Sequence, residues 1–97
     1  MRKLIVDCAS VATEAELWQR YVQLPGVQGA HLFGRNLDAF WDALTSGGPG
    51  TLEADERIEL RFIHTGSLRA VRDGSFYEDL IRIAHDNDSP EITVIIE

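Results

Sequence analysis

Three short segments of the chain have the apolar pattern of β-strands. Residues 3–8 form a β-branched and nearly continuous apolar run, which is typical of a buried parallel strand. Residues 57–64 alternate apolar with charged side chains, as a strand covered on one face does. Residues 91–97 are again strongly β-branched. We therefore predict three strands, one at each end of the chain and one in its middle.

Two helices are predicted between the first and second strands. Thr13 stands three residues before Glu16 and ahead of apolar residues at helical spacing, which is the arrangement of a capping box. Pro25 ends this first helix. After a loop, Asn36 is a good N-cap for a second helix that runs to about Ser46.

A third helix is predicted before the last strand. Ser75 and Glu78 repeat the capping-box spacing, and the apolar residues after them share one helical face. A short helical piece is also expected over residues 67–72. The order is therefore β-α-α-β-(α)-α-β, within one domain covering residues 1–97. Strands separated by helices connect most easily in parallel, so the pattern predicts a small α/β layer structure.

The second predicted helix divides into two faces. Asp38, Asp42 and Thr45 occupy one strip of the helical wheel. The residues of the other face, which we expect to pack against the sheet, are Leu37, Phe40, Trp41 and Leu44. Trp41 borders the acidic strip, so it is either a core residue or a partly exposed neighbour of the two aspartates.

Asp38 and Asp42 lie one helical turn apart, where like charges repel by roughly 0.2–0.5 kcal/mol. Asp38 is close to the helix N-terminus, whose exposed N–H groups favour a negative charge. Asp42 lies in the middle of the helix and has no Lys or Arg three or four residues away. Helical spacing alone leaves open whether this pair serves a function or is merely tolerated.

The composition limits the classes of partner. Sixteen acidic residues against nine basic ones give a formal net charge of −7, so the field of the protein repels nucleic acid and anionic membranes and attracts cationic partners. The proportions of apolar and charged residues are those of an ordinary globular protein. We therefore expect a protein partner, with no direct contact to nucleic acid or membrane.

The remaining chemistry of the chain is sparse. Cys8 is the sole cysteine, so we expect a buried side chain in a reducing compartment. The first apolar run is too short for a signal peptide or a membrane span, which favours a cytoplasmic protein. The histidines lack metal-ligand spacing, and the Gly-rich loop at 47–50 lacks the Lys of a phosphate-binding loop. We expect neither a metal nor another cofactor.

The segment "FGRNLDAFWDALT", residues 33–45, resembles the signature of the barstar family, the intracellular inhibitors of small secreted bacterial ribonucleases. The order of strands and helices is similar to that family along nearly the whole chain. The resemblance implies a three-stranded parallel sheet packed by three to four helices. It also implies a partner-binding surface, in which Asp42 is the central acid. The residues of this surface are Leu32, Phe33, Gly34, Asp38, Trp41, Asp42 and Thr45.

The chain departs from the family pattern at three places. Leu32 stands where the family often has an aromatic residue that contacts the enzyme, and Arg35 is basic at a position facing a basic partner. The last helix of the family supplies another acid, whereas Ile83 or Ala84 aligns there, with Asp86 one turn away. These departures leave the identity of the ribonuclease open.

Two classes of function follow. As a binding protein, monomeric when free, the chain fills the cationic cleft of a small basic ribonuclease, because carboxylates can replace the oxygens of RNA phosphate. A module of the same fold with another protein partner is the alternative. As an enzyme, the chain would use Asp38 and Asp42 as general acid and base or as metal ligands. We disfavour the enzyme because two carboxylates on one exposed helix face do not flank a substrate bond.

Overall fold

The computed structural model of the chain describes residues 1–53 and 55–97. Two 3₁₀ segments, Ala30–Leu32 and Thr65–Gly74, supplement the regular elements. The second of them is interrupted by non-helical backbone at Val71, Arg72 and Asp73, so of the short helical piece expected at 67–72 it contains residues 67–70. The strands and helices follow the order β1 (Arg2–Asp7), α1 (Glu14–Val22), α2 (Leu37–Ser46), β2 (Ile58–Ile63), α3 (Ser75–Asp86) and β3 (Ile92–Ile96).

The three strands form one parallel sheet in the order β1-β2-β3, with β2 in the centre. The register aligns Leu4 with Leu60 and Leu60 with Val94, so the buried side chains of all three strands lie in rows. The predicted α/β fold, a three-stranded parallel sheet packed by helices, is confirmed.

The sheet buries only one of its faces. Burial alternates along all three strands, as predicted for β2. The prediction that β1 is a continuously buried strand was wrong, because Ile5 points to the opposite face and is 52% exposed. On that open face Arg61 pairs with Glu59 and Glu97 instead of packing against a further helix. The apolar run of β1 therefore reflects strand propensity more than burial on both sides.

An aromatic cluster fills the space between the helices and the sheet. Trp18 of α1 is fully buried, and its ring centroid lies 5.3 Å from that of Phe40 in α2 and 6.2 Å from that of Phe76 in α3. Phe40 in turn lies 5.9 Å from Phe62 of β2. Such pairs add about 0.5–1.5 kcal/mol each beyond the burial of their area. The cluster therefore fixes the position of α2 relative to both neighbouring helices and the sheet.

The first two helices begin as predicted. The Thr13 hydroxyl accepts a hydrogen bond from the Glu16 amide at 3.2 Å and so caps α1. Asn36 Oδ1 accepts from the Ala39 amide at 2.7 Å and caps α2. Each cap satisfies a backbone donor that the helix itself leaves unpaired, which is worth about 1 kcal/mol.

The capping box predicted at the start of α3 was wrong. The N-cap is Gly74, and Ser75 is already helical, with its hydroxyl donating to the Arg72 carbonyl at 2.9 Å. Arg72, Asp73 and Gly74 have φ values of 50°, 54° and 91°, so the chain approaches α3 through three left-handed residues. Ser75 then lacks the extended backbone that an N-cap side chain needs to reach back to the helix.

The thiol of Cys8 is buried directly after β1, as expected. Burial raises the pKa of Cys8 to about 11, because the thiolate would lose its hydration. A thiol in this state is a small apolar side chain rather than a nucleophile. None of the helices in the described ranges is long and apolar enough to cross a membrane.

Candidate protein-binding surface

The two faces of α2 are separated more sharply than the sequence indicated. Phe40, Ala43 and Leu44 are buried, and Leu37 packs against the core at its edge. Trp41, for which the sequence leaves a core and a partly exposed position open, is 37% exposed. It lies at the border of the apolar face, whose centre is Phe40, flanked by the buried Ala43 and Leu44. Trp41 therefore joins the exposed side.

Four exposed residues define what we call the α2 face: Asp38, Trp41, Asp42 and Thr45. At 100° per residue they lie within about 100° of one another, on the side opposite to Phe40. The Thr45 hydroxyl donates to the Trp41 carbonyl at 2.8 Å, so Thr45 is tied to its own helix. The structure therefore brings four of the seven predicted partner-binding residues onto one surface.

The segment before α2 supplies the other three predicted residues in different ways. Leu32 ends a 3₁₀ turn and is 67% exposed, and Gly34 is exposed as well. Phe33 is only 5% exposed, and its ring centroid lies 5.6 Å from those of Trp18 and Tyr21. The side chain of Phe33 therefore anchors the loop to the core, while Leu32 and Gly34 lie at the surface.

Arg35 is directed towards α1. Its Nη1 donates to Gln19 Oε1 at 2.9 Å, and its backbone has a left-handed φ of 54°. This hydrogen bond holds the guanidinium next to α1, so the basic residue at the head of α2 has a partner within the protein.

The two aspartates of the α2 face have no cationic partner among the residues that the structure describes. Among the ion pairs of the described residues, none includes Asp38 or Asp42. Arg72 lines the same cleft as Asp38 but is paired with Glu14, and Arg82 is paired with Asp79. The repulsion between Asp38 and Asp42 is therefore not offset by an ion pair within the part of the chain that the structure describes.

A cleft of about 310 Å³ extends the surface beyond the N-terminus of α2. Asp38 lines it together with Asn36, Leu37, Asp79 of α3 and the ion-paired residues Glu14 and Arg72. The sequence did not single out Asp79, because only the packing of α3 beside α2 brings it there. Asp86, the acid noted in the sequence, lies at the last turn of α3, 3.1 Å from His85 Nδ1, and does not line the cleft.

A second pocket, of about 240 Å³, lies at the C-terminal end of α2. Thr45 and Gly47 line it together with Asp88 and Glu91 from the segment before β3. The spacing of these two acids in the sequence does not predict that they lie near α2, because they come from a turn about half the chain length away from it. Acidic side chains thus flank the α2 face at both ends.

The α2 face presents two carboxylates and a partly exposed indole. Within residues 1–53 and 55–97, no group of three or more His, Cys, Asp or Glu side chains is arranged to hold a metal ion. Asp38 and Asp42 project from one side of a single helix, so they do not lie on opposite sides of a substrate bond. Two carboxylates next to an exposed indole can instead bind a cationic protein surface.

Comparison with known proteins agrees with this description. The family model described as barstar (barnase inhibitor) matches residues 1–90, which include α2, the loop before it and all of α3. No curated protein shows significant similarity to the chain. The barstar match covers most of the 97 residues, including the whole α2 face, and the chain therefore belongs to the barstar family.

Proposed function

We propose that the protein is a ribonuclease inhibitor that covers the active site of a small basic ribonuclease with its α2 face. The observation that carries this proposal is the pair of carboxylates, Asp38 and Asp42, held on one exposed helix face with no cationic partner among the described residues. Membership in a family of barnase inhibitors supports the same partner class.

The proposed inhibition depends on charge-assisted hydrogen bonds. A ribonuclease cleft binds RNA phosphate through Arg, Lys and His side chains, and a carboxylate presents oxygens that these donors can bind in the same way. Hydrogen bonds to charged groups contribute about 1.5–3 kcal/mol each, which exceeds the ~0.2–0.5 kcal/mol of repulsion between two aspartates one turn apart. The pair is thus mildly unfavourable in the free protein and favourable in the complex.

The other residues of the surface have supporting roles in this proposal. Trp41 supplies exposed apolar area next to the acids, and Leu32 supplies more in the segment before α2, as aromatic and aliphatic anchors do in protein interfaces. Gly34 and Thr45 border the same surface, and Phe33 fixes the loop from inside the core. The protein would act as a cytoplasmic monomer that protects the cell producing the ribonuclease.

The test is inhibition of a small basic ribonuclease from the same genome by the purified protein. We expect stoichiometric loss of RNA cleavage. Asp42→Ala should weaken inhibition by about 30-fold or more, since truncation of a central interface residue costs about 2 kcal/mol or more. Glu53→Ala removes an acid that is exposed but lies outside the α2 face, and it should change the inhibition constant by less than about threefold.

Two results would contradict the proposal. Equal effects of Asp42→Ala and Glu53→Ala would show that net charge, rather than the α2 face, determines binding. A wild-type protein that binds no ribonuclease at all would favour the second candidate, a barstar-type module with another cationic protein partner. That candidate is supported by the exposed arginine Arg35 directly before α2, which a basic enzyme surface would not favour.

A further inference from the structure

The loop after α2 folds back against the last turns of the helix. Gly47, with a left-handed φ of 69°, ends α2, and its amide donates to the Asp42 carbonyl. The Gly48 amide points to the same carbonyl at 3.4 Å. The Gly48 carbonyl then accepts from the Thr51 amide at 3.1 Å. These bonds place the backbone of Gly48 directly beside Asp42.

The side chain of Asp42 occupies the space that a Cβ atom at position 48 would need. Such an atom would lie 3.1 Å from Asp42 Cγ and closer still to Asp42 Oδ2, which is well inside van der Waals contact. Gly48 is not among the residues with a positive φ, so its backbone would accept alanine. Glycine at this position therefore leaves room for the Asp42 carboxylate, whereas the conformation of the chain does not itself require glycine.

The loop itself is fastened and cannot easily move away. The Gly50 amide donates to the Gln28 carbonyl at 2.6 Å, and the buried Tyr21 hydroxyl donates to the Gly50 carbonyl at 2.7 Å. A Cβ atom at Gly50 would lie 2.5 Å from Phe33 Cδ1, so the ring of Phe33 packs closely on this backbone. An added methyl group at position 48 should thus displace the flexible carboxylate and leave the loop in place.

We propose that Gly48 is a positioning residue, which sets the orientation of the Asp42 carboxylate that the partner recognises. This inference rests on the proposed function of the α2 face and adds a residue that itself presents no side chain. Hydrogen bonds weaken steeply with distance and angle, so a carboxylate turned away from the loop no longer meets donors placed for its original position.

The experiment compares two glycine substitutions in the full chain. Gly48→Ala should weaken inhibition of the ribonuclease by about tenfold, the effect of misaligning one charge-assisted hydrogen bond, with a Tm within about 3 °C of wild type. Gly66→Ala is the matched control, because Gly66 also lacks a positive φ and a Cβ there would meet nothing within 4 Å. The control should inhibit as well as wild type.

A double-mutant cycle separates positioning from a direct clash with the partner. In the Asp42→Ala background, Gly48→Ala should produce no further loss, because the side chain that it displaces is gone. A tenfold loss in that background as well would mean that the methyl group obstructs the enzyme itself, and would overturn the inference. So would unchanged inhibition by Gly48→Ala, or a fall in Tm of many degrees, which would show that the loop had moved.

A measurement without the partner keeps this inference separate from the proposed function. The side-chain carboxyl ¹³C resonance of Asp42 in the free protein should shift in Gly48→Ala and stay in place in Gly66→Ala. If the wild-type chain inhibits no ribonuclease, the proposed function fails while this spectrum still decides whether Gly48 positions Asp42. An unshifted resonance would refute the positioning role whatever the partner is.

Discussion

Asp7 illustrates how one charged residue joins two elements of this fold. It ends β1, and its Oδ1 accepts from the Ala9 amide at 2.9 Å. The same oxygen lies 2.9 Å from Nδ1 of His64, which directly follows β2. These bonds, the Ala9 amide first and His64 second, lower the pKa of Asp7 below its ordinary value. The ionised carboxylate is therefore favoured in the folded state.

This lowered pKa predicts a pH-dependent contribution to stability. Asp7 binds a proton more weakly when folded than when unfolded, so its stabilising effect is present above the unfolded pKa of about 3.9 and is lost as pH falls through the folded value. Asp7→Asn should lower the Tm slightly at pH 7, since the site is exposed and screened, and the difference from wild type should vanish near pH 2.

Thermal unfolding followed by circular dichroism between pH 7 and pH 2 measures this difference. Asp55→Asn serves as the control, because Asp55 is exposed and belongs to none of the ion pairs of the described residues. It should leave the Tm unchanged at every pH. A wild-type advantage over Asp7→Asn that grows as the pH falls would contradict the assignment.

Among the elements, α2 combines a structural face and a recognition face within ten residues. Phe40 is fully buried between Trp18 and the ring of Phe62 on the sheet. Its neighbour Trp41 is 37% exposed and lies outside the core cluster. Of these two adjacent aromatic residues, Phe40 therefore stabilises the fold and Trp41 contributes to the exposed surface.

This division predicts opposite effects of two neighbouring substitutions. Phe40→Ala should lower the free energy of unfolding by about 3–5 kcal/mol, because it removes a buried ring and leaves a cavity. Trp41→Ala should lower it by less than about 1 kcal/mol while weakening inhibition. Urea unfolding and inhibition assays on both variants measure the pair. Similar losses of stability would show that Trp41 packs as a core residue after all.

The sequence could predict the elements of the fold because their signals are local. Apolar periodicity located the three strands and the three helices, and the side chains of Thr13 and Asn36 marked two helix starts. The capping box at Ser75 failed because it depends on the backbone before it, which three left-handed residues determine. The spacing of side chains along the sequence does not predict those φ values.

The site was predictable only in part, for a related reason. Asp38 and Asp42 follow from helical spacing together with a family signature. Phe33, expected at the binding surface, is buried, and the sequence left Trp41 open between core and surface, since an aromatic side chain suits a core as well as an interface. Asp79 and the tight approach of Gly48 to Asp42 depend on how separate segments meet, so no pattern along the chain could show them.

At the scale of the whole molecule, the charge is distributed in favour of a cationic partner. The formal net charge is −7, and Asp79 and Glu91 lie in the clefts at the two ends of α2. Charges around an interface mainly accelerate encounter, whereas those at its centre mainly slow dissociation. The acids that flank the α2 face should therefore act on the rate of association.

Salt should accordingly slow the association of the protein with a basic ribonuclease. Raising the ionic strength from about 0.05 to 0.5 M shortens the Debye length several-fold, and we expect the association rate constant to fall by about tenfold or more. Stopped-flow fluorescence measures it, with the dissociation rate constant as an internal control that should change much less. An association rate that does not depend on salt would exclude electrostatic steering.

The separation of α2 into two faces also affects how the sequence of a barstar-family protein can change during evolution. The side chains of Asp38, Trp41, Asp42 and Thr45 lie outside the core cluster that holds the helix in place. Substitutions at these positions can therefore accumulate without loss of the fold, whereas Phe40, Ala43 and Leu44 are constrained by packing. If the partner of such a protein changes during evolution, the protein can therefore adapt to it by substitutions along one strip of a single helix.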